Sequence, residues 1–154
     1  RYLERIESEP MKILSLRFGE NFAPECGTIQ AHQDMIDKNG FVWYGKFGNA
    51  VSDNIIKAIF EEKEPKLLLI KSGTPERYWA YIEKAQRQAP ESKYVPEYYR
   101  DMMDKVKCWF KVLKIEKAPS DVMSKCFIVS SGAQLSAMSK VSMNPCAFVN
   151  YDED

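Results

Sequence analysis

The run Lys66-Leu-Leu-Leu-Ile-Lys71, Ser72-Gly-Thr-Pro-Glu76, Arg77-Tyr-Trp-Ala-Tyr-Ile-Glu83 decides the fold. Its first six residues read as a short buried strand, its next five carry turn chemistry, and its last seven are rich in the aromatic and β-branched residues that suit a pleated surface. Two such runs joined by so short a turn form an antiparallel hairpin. A hairpin at mid-chain favours an α+β domain over a doubly wound parallel sheet.

Outward from the hairpin the same reading continues. Met11-Lys-Ile-Leu-Ser-Leu-Arg-Phe18 suits a strand with one deeply buried face, residues 30–38 a short helix stopping at Asn39-Gly40, and residues 41–47 a second strand turned by Gly48-Asn49. Ser52 or Asp53 caps a helix reaching about Glu62, because Ile55, Ile56, Ile59 and Phe60 recur at helical spacing and Pro65 bars extension. Beyond the hairpin, residues 85–105 carry Pro90, Pro96 and three tyrosines without a clean period, which predicts an ordered loop with a short helix over residues 97–103. Lys107-Cys-Trp-Phe-Lys-Val-Leu-Lys-Ile-Glu116 is a strand whose lysines break simple alternation and predict a bulge. Residues 126–130 and 147–151 read as further strands, with a helix starting near Ala133. The expected architecture is a curved sheet or small β-barrel of about six strands flanked by a few helices.

The chain has 154 residues, one domain's worth, expected to span residues 11–154 behind an extension at residues 1–10. Its 45% hydrophobic and 29% charged content argues for a packed core. Twenty-two basic residues balance 22 acidic ones, so any polyanion site must be local. No window approaches eighteen uninterrupted apolar residues and no basic-then-apolar leader opens the chain, which predicts a cytoplasmic protein without a membrane partner. Four scattered cysteines without a C-x-x-C pair read as reduced thiols.

Catalytic and cofactor motifs are sparse. His32 is the single histidine, and no second base or nucleophile is tied to it by spacing; Cys26 and His32 make a dyad only on paper. No HExxH, Cys/His cluster or calcium loop is present, and Gly45 and Gly48 lack the other residues of a phosphate loop. The sequence therefore predicts no catalysis, no metal and no cofactor.

Three Trp, eight Tyr and eight Phe stand out instead. In a strand, Phe41, Trp43 and Gly45 share one side while Val42, Tyr44 and Lys46 share the other, so one set must leave the core or line a cavity. Trp43-Tyr-Gly-Lys-Phe-Gly-Asn49, continuing through Asn54 to Ala58-Ile-Phe60, resembles the EVE/YTH group of PUA-like domains. The hairpin is similar to that group's central hairpin, and Trp109 to Pro119 and Ser130-Ser-Gly-Ala-Gln134 resemble its later strand and turn.

The resemblance implies a non-catalytic reader that turns a modified base of DNA, in preference to RNA, into an aromatic cage. It makes Trp43 the first wall and Tyr94, Tyr98 or Tyr99 the second, with Tyr94 preferred. Gln33, Tyr44, Asn49 and Ser72 fall where polar base contacts would lie; Tyr44 stands where the family has serine, which leaves the base open. Lys71, Arg77, Lys107 and Lys111 would track phosphates. Such domains are commonly fused to restriction GTPases or nucleases, which makes such an effector the expected partner. Two other readings are a protein-interaction module and a small nucleotide-processing enzyme using Cys26, His32 and Asp34.

Overall fold

The computed structural model describes residues 10–19, 24–47, 51–71, 73–136 and 146–152. Seven strands form one sheet: β1 (Met11–Phe18), β2 (Val42–Phe47), β3 (Lys66–Lys71), β4 (Arg77–Gln86), β5 (Val106–Lys117), β6 (Cys126–Ile128) and β7 (Cys146–Tyr151). The spatial order is β2-β5-β4-β3-β1-β7-β6, with β1 and β3 parallel and every other pair antiparallel. The sheet ends at β2 and β6 among the described residues, so it is open and not a closed barrel, and it has seven strands where about six were expected. Of the expected extension, residues 1–9 lie outside the described residues, as do the Gly48-Asn49 turn, Ser72 and most of the helix expected from Ala133.

Position in the sheet explains the sequence of β3. Paired with β1 on one side and β4 on the other, it is covered on both faces. Leu67 and Leu69 enter the core under the helices, while Leu68 and Ile70 enter the cluster on the opposite face with Trp79, Val149 and Tyr151. A strand buried twice over has no polar face to alternate with, hence the unbroken leucines.

Two helices cover the first face. Helix α1 (Thr28–Asn39) ends at Gly40, whose φ of 86° is a left-handed stop that glycine adopts without strain. Helix α2 (Asp53–Phe60) begins at Ser52, whose hydroxyl accepts from the Ile55 amide at 3.3 Å. Ile29, Met35 and Ile36 of α1 and Ile55, Ile56 and Ile59 of α2 pack on Val42, Tyr44, Cys108, Phe110 and Val112.

The bulge expected near the lysines of β5 is present twice. Between Lys46↔Cys108 and Phe47↔Val106 the register skips Lys107, and between Tyr81↔Lys114 and Ile82↔Val112 it skips Leu113. Each extra residue points outward, which is how a lysine-broken pattern fits a buried strand.

Candidate nucleic-acid interface

Strand β2 is the edge of the sheet, and an uncovered edge leaves backbone groups open to other chains. Residues 87–105 wrap it through two 3-10 helices, Ser92–Tyr94 and Glu97–Lys105, and the Tyr99 hydroxyl donates to the Gly45 carbonyl at 3.4 Å. Trp43, Val106 and Trp109, on the sheet face away from α1, pack with Val95, Phe41 and Tyr94, and with Tyr98 and Tyr99, which lie at the β2 edge and also pack against His32 of α1. Gly45 makes this possible: a Cβ there would lie 3.0 Å from Trp109 Cζ3 and 3.0 Å from Val106 Cγ1.

The four aromatics of the expected cage are thus brought together, but as packing. Trp43 is only 7% exposed and Tyr99 4%, and Tyr94 tilts against Phe41 with ring centroids 4.8 Å apart. Strand alternation turns Trp43 away from the helix-covered face, so its indole fills the interior and does not bound an open slot. Tyr98 differs. It is half-buried, tilts over Tyr99 at 4.6 Å, and reaches open space.

That space is a cleft of about 400 Å³ between α1 and the turn that enters the second 3-10 helix. Its apolar walls include Ala31 and Met35, one helical turn apart on α1, opposite Pro96 and the Tyr98 ring. Asp34 and Glu97 supply carboxylates, Cys26 supplies a thiol, and no basic residue lines it among the described residues. The volume falls in the range of about 300–1,000 Å³ typical of small-ligand sites.

Behind the cleft, His32 of α1 is 1% exposed among Tyr44, Tyr98 and Tyr99, whose ring centroids lie 5.1, 6.4 and 5.6 Å away. Its Nδ1 lies 2.8 Å from the Thr28 carbonyl, which can only accept, so Nδ1 carries the proton. Nε2 is then a bare acceptor, and among the described residues it has no hydrogen-bond partner. Burial pushes the imidazole down to about 4 from 6.5, so it is neutral at pH 7. Burial also raises the Tyr44 and Tyr99 hydroxyls above the usual phenol range.

The remaining expected contacts are dispersed. Gln33 donates to Asp37 on its own helix at 2.9 Å, and Tyr44 is buried against His32 on the α1 face. Lys71 pairs with Glu76 at 3.3 Å, and Arg77 donates to the Thr74 and Glu76 carbonyls at the tip of the β3–β4 hairpin. Tyr78 is registered against Lys117, whereas Lys107 lies at the opposite end of β5. Ten residues at about 3.3 Å each make this at most ~33 Å of strand, shortened by the two bulges. Lys111 sits between them, over the Phe41 ring at 4.5 Å and paired with Glu83 at 2.9 Å. The four cations therefore form no single phosphate track.

A family profile described as Pua-like matches residues 14–144. The chain belongs to the Pua-like family. The matched span of this Pua-like domain runs from within β1 to just short of β7 and includes every wall of the cleft. Searches of curated proteins and of solved structures found no match. The Pua-like fold points to nucleic acid as the ligand class. Among the described residues no helix is long and apolar enough to cross a membrane, and no group of three or more His, Cys, Asp or Glu could hold a metal ion.

Cleft lining was only partly legible in the sequence. Asp34 and Cys26 belong to the enzyme reading of the sequence and Tyr98 to the cage, whereas Ala31, Met35, Pro96 and Glu97 carry no chemical signal there. The spacing of Ala31 and Met35 on one helix face was the trace that could have found the wall.

Proposed function

We propose that this Pua-like domain is a non-catalytic reader that takes one modified base of DNA or RNA, turned out of its strand, into the cleft between α1 and the Pro96–Tyr98 turn. The carrying observation is that the cleft sets an aromatic ring, Tyr98, opposite the apolar side chains Ala31 and Met35. A flat heterocycle fits between such walls, and stacking on an aromatic contributes about 1–3 kcal/mol per base. Trp43 and Tyr99 then act from beneath, holding Tyr98 in place through the packed aromatic cluster. A methyl group on the base adds apolar contact with the same walls. Fusion or association with a GTPase or nuclease effector gives such a reader its output.

A catalytic reading has less support. A general base serves best with a pKa near the working pH, and His32 is held neutral down to about pH 4 with Nδ1 committed to Thr28. The Cys26 thiol donates to the Gly27 carbonyl at 3.8 Å and His32 Nδ1 to Thr28, so the two side chains are engaged apart from one another.

Fluorescence anisotropy with single-stranded and duplex DNA and RNA carrying N6-methyladenine, 5-methylcytosine or 5-hydroxymethylcytosine tests the proposal. At least one modified probe should bind more tightly than its unmodified form, and Tyr98→Ala should weaken it by roughly 5- to 150-fold, the equivalent of the lost stacking. Identical affinity for every probe rules the reading out.

A further inference from the structure

Resting on the reading above, we infer that Asp34 and Glu97 make the cleft selective for bases with an N–H-donating amino edge, adenine, cytosine or guanine, against thymine and uracil. The two carboxylates are the only charged groups lining the cleft among the described residues. Both side chains are on exposed residues. Asp34 Oδ1 accepts from Gln30 Nε2 at 2.8 Å, which steadies the carboxylate on α1. Glu97 belongs to no ion pair among the described residues.

Two consequences follow from that chemistry. A nucleic acid carries a negative charge on every phosphate, so carboxylates at the cleft repel the backbone and admit the strand only by its base. An ionised carboxylate has no proton to donate. It pairs well with an amino group such as N4 of cytosine or N6 of adenine. Thymine offers its one ring N–H between two carbonyl oxygens, so a carboxylate that meets the donor also meets acceptors. A single methyl on the adenine amino group leaves one N–H and remains compatible; a second methyl removes the last donor. Methylation at C5 of cytosine leaves the amino edge untouched.

The experiment uses thymidine 12-mers with one central variable nucleotide, read by fluorescence anisotropy. Thymine and 5-methylcytosine share their methyl group and differ along the edge at issue, and N6-methyladenine and N6,N6-dimethyladenine differ by the last N–H. Probes with 5-methylcytosine or N6-methyladenine should bind at least about tenfold more tightly than the all-thymidine strand, as one good edge contact implies. The dimethylated probe should fall back to the thymidine level. Asp34→Asn with Glu97→Gln, each at an exposed position and each exchanging a carboxylate for an uncharged amide, should shrink the preference to within about threefold, because each amide adds a donor that suits a carbonyl. Equal binding of these probes, while 5-methylcytosine still binds more tightly than cytosine in the same strand and Tyr98→Ala weakens it, overturns the selectivity alone. Failure to bind any oligonucleotide overturns the reader and the selectivity together.

Discussion

The single histidine offers an unusually clean measurement of how burial shapes stability. His32 is neutral in the folded chain with its pKa pushed down to about 4, while in the unfolded chain it titrates near 6.5. Between those values the unfolded state binds the proton and the folded state does not, so stability is fully present above pH 6.5 and is lost as pH falls toward 4. A shift of this size is worth roughly 3 kcal/mol over the whole window at about 1.36 kcal/mol per pH unit, and about 2 kcal/mol of it is lost between pH 7.5 and pH 5. For a domain of this size that lowers the melting temperature by about 4–8 °C. With no second histidine in the chain and ordinary carboxyls titrating at about 4, His32 dominates the change between pH 5 and about pH 7. Thermal and urea unfolding at pH 7.5, 6.5, 5.8 and 5.0, compared between the parent and His32→Phe, isolates the effect. The parent should slope and the variant should be flat. A parent curve that is flat to pH 5, or an imidazole that titrates near 6.5 by NMR in the folded protein, refutes the buried neutral assignment.

Three further outcomes are expected. Gly45→Ala places a methyl 3.0 Å from Trp109 and Val106, and the overpacking should cost about 1–3 kcal/mol, seen as a lower urea midpoint with unchanged m. Ser52→Ala removes the α2 cap and should cost about 1 kcal/mol in the same assay, with Ser52→Asp restoring most of it. Cys26 is exposed while Cys108 and Cys126 are buried, with Cys126 pushed up to about 12 by burial, so brief N-ethylmaleimide treatment at pH 7.5 should label Cys26 first. A bound oligonucleotide should slow that labelling, which peptide mass spectrometry would read.

The fold was largely legible because its signals are local. Ser52 capping, the isoleucine spacing of α2, the turn after Lys71 and the lysine-broken β5 each carry their own physical cause, and each is found where the sequence places it. The direction of Trp43 was not legible. Alternation separates Trp43 from Tyr44 but does not say which side the helices cover, and that depends on α1 packing over Tyr44 and on residues 92–105 folding over the other side. The cleft was hidden for a related reason: Ala31 and Tyr98 meet only because β2 is an edge that the distant segment wraps. The dispersal of the cations was not legible either, since β5 begins beside Lys107 and only at its far end pairs with the Arg77–Tyr78 end of β4.

Strand β1 lies between β3 and β7, with Met11 registered opposite Tyr151, so the first and last strand residues described sit side by side. β7 is five strand positions from β2 in that order. At about 4.8 Å per position, this is some ~24 Å along the sheet from the wrapped edge. Met11 and Tyr151 therefore lie on the flank of the sheet away from the mouth by Tyr98, and the strands that carry them take no part in its walls.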